Sequence, residues 1–232
     1  MNTTASPNPW QAALGQRLAQ ALEQSRLAHA PLSDAGHDAT ATRWRLAPRP
    51  ASRATAAAAL SEMLGMGTPA TQGDLMKHCL QHYRSRLAGA SAEDDLGRAL
   101  AAYLGACRQA ADHEPLSTER WQAVTQWLEA WVVDELPWDD APLAERQDAF
   151  ERFAVLAVAL GEWTVQASRQ GAAQQASATW MARNSLRAQL GLDLATLCSV
   201  LRGLDAPTAA DPSAAAEELG AAAYRQSQRD PV

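Results

Sequence analysis

Residues 144–170 read AERQDAFERFAVLAVALGEWTVQASRQ, and this stretch decides the fold. Phe150, Phe153, Leu156, Ala157 and Leu160 recur at steps of three and four, the spacing of one helix face. From Phe153 to Leu160 there is no polar residue at any helical angle. Such a helix is apolar on all sides and has to be surrounded by other helices. Pro142 just ahead suits a first helical turn, and Pro137 with the acidic turn Trp138-Asp139-Asp140 breaks the helix before it. The expected fold is all-α, an irregular multi-helix bundle around a central apolar helix at about 144–170.

The neighbouring segments read the same way. Upstream, Ser117 precedes Trp121, Val124, Leu128 and Val132 at helical steps. Ser91 with Asp94 three residues on resembles a capping box, opening a helix through Leu96, Leu100, Tyr103, Leu104 and Cys107. Further back are helices at about Gln72–Leu87 and Arg53–Leu64, and a first helix from Pro9 to His29 carrying Trp10, Leu14, Leu18 and Leu22. Downstream, a helix from Gln174 ends at Gly191, and Asp193 is placed to cap a short helix from Leu194 to Leu201. Gly105 and Gly161 sit inside apolar helices, where glycine costs up to ~1 kcal/mol against alanine, so each is expected at a close helix crossing. The resulting division is an N-terminal helix (1–30), a Pro-, Asp- and Gly-containing connection (31–52) in which Arg43-Trp44-Arg45-Leu46 is the one stretch able to extend, a main helical domain (53–203), and an Ala/Pro-rich tail (204–232) expected to be mobile.

Composition agrees. The 232 residues include no Ile, and although 47% are hydrophobic, Ala supplies so much of that share that the mean hydropathy is -0.28. A formal net charge of -6 argues against general nucleic-acid binding, which needs a positive field. The longest strongly apolar run is far shorter than the ~20 residues of a membrane span, so no membrane insertion is expected. Cys79, Cys107 and Cys198 are odd in number and contain no C-x-x-C pair, which fits a reducing compartment. Met1 to Gln16 lacks the basic and apolar pattern of a secretory leader, so the expected location is the cytoplasm.

Three segments carry a resemblance. Asp94-Asp95-Leu96-Gly97-Arg98-Ala99-Leu100-Ala101-Ala102-Tyr103, then Glu145 to Leu156, then Asn184-Ser185-Leu186 with Leu190-Gly191-Leu192-Asp193, resemble the hallmark segments of a bacterial family known only as a domain of unknown function. The resemblance runs from Thr42 to Leu201 and leaves out the first helix and the tail. It implies a helical fold and a bacterial source, and it carries no activity, cofactor or catalytic residue.

The chemistry-bearing features are few. His78 and His82, four apart, place two imidazoles on one helix face, as in a metal site, with Cys79 beside them. A metal needs a third ligand, for which His113 between Asp112 and Glu114 is one distant source; without one, the pair is two ordinary histidines. Gly65-Met66-Gly67-Thr68-Pro69-Ala70 spells G-x-G-x-x-A but closes a helix where a dinucleotide loop would follow a strand, so it reads as a helix stop. Glu129, Asp134, Glu135, Asp139 and Asp140 gather charge around Pro137 beside Trp131 and Trp138, which suits either a solvated junction or a docking surface for a basic partner. Of the eight Trp, most are expected to fill an Ala-rich core, whereas Trp127 lies off the apolar face of its helix and is expected to be exposed. Arg43, Trp44 and Arg45, with Arg49 and Arg53, form the one basic stretch.

The leading expectation is therefore a non-catalytic protein-interaction module of bacterial type (an immunity protein, adaptor or secretion chaperone) that binds another protein through Trp127, Trp131, Trp138, Asp139, Asp140, Arg43, Trp44 and Arg45. No cofactor is implied, and a homodimer is compatible with the sequence. The alternatives are a metal-dependent enzyme built on His78 and His82, and a helical bundle binding a small molecule between Trp163 and Phe153.

Overall fold

The computed structural model describes residues 9–28, 45–46, 54–64, 69–87, 94–136 and 141–203. Their order is α1 (Pro9–Ala28), β1 (Arg45–Leu46), α2 (Ala54–Leu64), α3 (Pro69–His82) running into a π-helical turn (Tyr83–Leu87), β2 (Asp94–Asp95), α4 (Leu96–Asp112), α5 (Thr118–Glu135), α6 (Leu143–Gln170), α7 (Ala172–Leu190) and α8 (Leu194–Gly203). The fold is an all-α multi-helix bundle. Its only strand pairing among the described residues sets Arg45 against Asp95 and Leu46 against Asp94, antiparallel. No described helix is long and apolar enough to cross a membrane.

α6 is the centre, as its composition requires. Every residue from Ala149 to Leu160 is buried, and α2, α3, α4 and α7 pack around it. α4 is its main partner and also touches α5, α7 and α8. Large rings pack on α6: Tyr103 of α4 lies against Phe153 with centroids 5.5 Å apart, and Tyr83, from the π-turn, packs edge-on against Phe150, also at 5.5 Å. All four rings are almost wholly buried, each stabilising the fold by roughly 1.5–3 kcal/mol relative to exposure. α1 joins the same core by burying Leu14, Leu18 and Leu22 and packs on α7 and α8.

Helix ends follow local chemistry. Ser117 caps α5, its hydroxyl accepting from the Arg120 amide at 3.4 Å. Gly191 ends α7 in the left-handed region at φ 65°, a conformation that costs glycine little. Asp193 then caps α8, its Oδ1 accepting from the amides of Ala195 and Thr196. The cap of α4 differs from the Ser91/Asp94 expectation, because Asp95 is the N-cap and accepts from the Arg98 amide at 2.9 Å. Asp94 is 1% exposed and is held by Arg84 through two hydrogen bonds, Nε to Oδ1 at 3.0 Å and a second guanidinium nitrogen to Oδ2 at 2.6 Å. A buried carboxylate needs that partner more than the helix needs a second cap.

The glycine expectation divides. Gly105 does sit at a close approach, since a Cβ there would lie 3.1 Å from the Trp121 ring. Gly161 does not; nothing comes within 4 Å of its Cβ position. Tighter crossings lie at Gly15, against the Leu190 carbonyl, and at Gly97, where a Cβ would meet the Glu129 backbone at 2.6 Å.

Candidate functional site

A groove of about 240 Å³ lies between α2 and α7, lined by Ala59, Glu62, Met63, Trp180, Asn184, Ser185, Ala188 and Gln189. Ala59 and Met63, themselves buried, supply apolar lining, and Glu62, Asn184 and Gln189 supply polar groups. Ser185 is fixed from below, its Oγ 2.8 Å from the buried Tyr103 hydroxyl. Trp180 stands beside this floor with 61% of its surface exposed. Trp163 of α6 is also exposed, at 38%. Most Trp were expected to fill the core, but these two are exposed, and the core is filled chiefly by Ala, Leu, Phe and Tyr side chains.

The expected aromatic site on α5 is corrected in part. Trp131 is only 6% exposed and so is no surface anchor; it lies on the same buried side of α5 as Leu128 and Val132. Trp127 is half-buried and stacks on Trp131, centroids 6.3 Å apart and planes 23° from parallel. Glu129 likewise turns inward, 7% exposed and paired with Arg98 at 2.8 Å, while Asp134 and Glu135 remain exposed. Trp138, Asp139 and Asp140 lie outside the described residues, as do Arg43 and Trp44. Arg45 is described only through its backbone pairing with Asp95. The Trp163–Phe153 pocket is not formed by two facing rings, because Phe153 is 1% exposed while Trp163 points outward.

His78 and His82 do share a face of α3, and the structure adds a group that the sequence reading missed. Glu162 of α6 reaches both: its Oε1 is 3.0 Å from His78 Nε2 and 2.6 Å from His82 Nδ1. The side chains are 58%, 38% and 42% exposed for His78, His82 and Glu162. Burial pushes the Glu162 carboxyl up, but the hydrogen bonds from His82 and His78 and their charge outweigh it and hold it below the usual carboxylate range. Cys79 is buried in the core. Its thiol is pushed up to about 12, by burial first and by Glu162 second, so it stays protonated and inert near neutral pH. Cys107 and Cys198 are also buried and free. His113 is not the third member; it ends α4 in the left-handed region and lines a separate cavity with Thr164 and Gln175. The one sequence signal for Glu162 was its place as the second residue past the buried run, where α6 emerges to the surface.

These features define a helical bundle with an indole-flanked groove and a surface cluster of two imidazoles and a carboxylate. The chain belongs to the family of unknown function DUF6683, whose model matches residues 11–198. That match takes in most of α1, which the resemblance from Thr42 onward had left out. No curated protein and no solved structure matches the chain.

Proposed function

We propose that this chain is a protein-binding module of the cytoplasm, acting by association and not by catalysis, which receives an apolar side chain of a partner protein in the groove beside Trp180. The observation that carries this reading is the exposed Trp180 next to a preformed hollow with an apolar lining and polar groups around it. An aromatic anchor beside a small pocket, ringed by polar groups, is the arrangement that concentrates binding energy in protein interfaces. Several charged groups near the centre of the fold are engaged in structural pairs such as Arg84–Asp94 and Arg98–Glu129, which supports a scaffold role for them. The net charge of -6 favours a protein partner over nucleic acid.

The test is site-directed. A photo-crosslinking phenylalanine analogue at Trp180 should trap one discrete partner in cells, and the same analogue at exposed Gln126 on α5 should not. With the trapped protein purified, Trp180→Ala should weaken binding by about 30-fold or more, the scale of an interface anchor worth at least ~2 kcal/mol. Equal trapping at both positions, or unchanged affinity for Trp180→Ala, would remove the groove from consideration.

A further inference from the structure

The protein-binding reading leaves His78, His82 and Glu162 unused, and their arrangement has its own chemistry. We infer that these three side chains form a binding site for a divalent transition-metal ion of the zinc, cobalt or nickel type. Four-residue spacing puts the two imidazoles on successive turns of α3, and α6 delivers the carboxylate between them. One donor atom from each residue lies within 4.8 Å of the other two.

The distances suit an ion. A tetrahedral metal bonded at about 2.0–2.1 Å to nitrogen and oxygen holds its donors about 3.3 Å apart. His78 Nε2 and His82 Nδ1 already stand 3.0 and 2.6 Å from Glu162 Oε1. Admitting the ion therefore requires the carboxylate and rings to part by less than about 1 Å. All three side chains are partly exposed and lie at the surface, where rotation can make that adjustment. The metal takes the place of the hydrogens now shared between rings and carboxylate, which are released to solvent as it binds.

The donor set also selects the class of ion. Two imidazole nitrogens and one carboxylate oxygen are a borderline set, poor for magnesium and calcium, which prefer all-oxygen shells, and lacking the sulfur that copper(I) favours. Cys79 is not among the clustered donors, its side chain being wholly buried in the core. Three protein ligands leave a fourth position open toward solvent, as the exposure of all three side chains requires.

The experiment uses the full chain, purified without a polyhistidine tag or after its removal. Zinc is titrated by calorimetry and cobalt by visible absorption, which reports a tetrahedral nitrogen–oxygen environment directly. A single 1:1 isotherm with a tetrahedral cobalt spectrum is expected, with magnesium silent. His82→Ala and Glu162→Gln should each weaken zinc binding more than tenfold, while His113→Ala, at another exposed histidine, should leave it unchanged. Circular dichroism of each variant checks that the fold is retained, as the exposure of these residues predicts. A wild-type chain that takes up no zinc, or Glu162→Gln with unaltered affinity and cobalt spectrum, overturns the site. Neither result bears on the Trp180 groove, which lies on α2 and α7.

Discussion

Gly97→Ala and Gly161→Ala are the same change in the two central helices, and the structure predicts opposite signs. At Gly97 the new methyl would lie 2.6 Å from Glu129 Cα, 2.7 Å from its amide nitrogen and 2.8 Å from the Leu128 carbonyl oxygen. Ordinary contacts begin near 3.4 Å, so the backbone of α5 must retreat by something under 1 Å. No flexible side chain is available to absorb the shift. The retreat loosens the α4–α5 seam, where Leu128 and Val132 are buried and Arg98 holds Glu129. Overpacking of this kind costs roughly 1–3 kcal/mol, with the upper end apt for rigid backbone, and the better helix propensity of alanine returns up to ~1 kcal/mol. A net loss of about 2 kcal/mol corresponds to a fall in melting temperature of roughly 4–8 °C for a chain of this size. At Gly161 a Cβ meets nothing within 4 Å, so only the propensity gain remains, about 0.5–1 kcal/mol and a rise of a few degrees. Urea and thermal unfolding followed by circular dichroism measure both variants. Equal stability of Gly97→Ala and the wild type would refute the close crossing, and a destabilised Gly161→Ala would mean that α6 is covered there.

Other consequences can be checked with the same assays. Zinc at a hundred times its dissociation constant should stabilise the wild type by about 2.7 kcal/mol; Glu162→Gln should melt at the same temperature with and without zinc. Asp94→Ala removes the buried carboxylate that accepts two hydrogen bonds from Arg84 and should cost about 1.5–3 kcal/mol in urea unfolding, whereas a change below about 0.5 kcal/mol would show that the pair contributes nothing net. Burial pushes the Asp112 carboxyl up, but hydrogen bonds from Arg202 and Arg108 prevail and hold it below its usual value. A depressed folded-state pKa means that its contribution is present above the ordinary aspartate range near ~3.9 and is lost as pH falls through the lower folded value. Acid titration of the urea midpoint should show that loss in the wild type and a smaller one in Asp112→Asn; identical slopes would place the acid sensitivity elsewhere.

The fold was legible where one residue type settles a question locally. An eight-residue run with no polar position, Phe153 to Leu160, has no stable place except inside a bundle, and α6 is found there. Ser117, Gly191 and Asp193 act within four residues of themselves, so their capping roles could be read directly. What failed was long-range or competitive. Glu162 is 80 and 84 positions from the histidines it meets, and periodicity assigns a face to a helix without naming its neighbour. Asp94 was available both to cap α4 and to pair with Arg84, and burial decided between them. The indoles were misplaced because alanine is apolar yet small. In helices so rich in it several faces look equally fit for the core, and Trp131 rather than Trp180 took the inner one.

The segments that resemble the family are, on inspection of their contacts, a framework. In the first, Asp94 holds Arg84, Asp95 caps α4, Gly97 admits the α5 backbone, Arg98 holds Glu129, and Tyr103 donates to or accepts from Ser185 of the third. The second places Phe150 and Phe153 in the core and buries Gln147 against Glu151 at 3.0 Å and Arg152 against Asp148 at 3.1 Å. Gly191 and Asp193 turn α7 into α8. Such residues specify a structure, and the fold is what the resemblance carried. Trp180, His78, His82 and Glu162 lie outside those segments, and none of them is buried. Replacing them should therefore cost the fold little, so loss of binding in their variants can be read as loss of function and not of structure, a separation that substitutions within the hallmark segments do not permit.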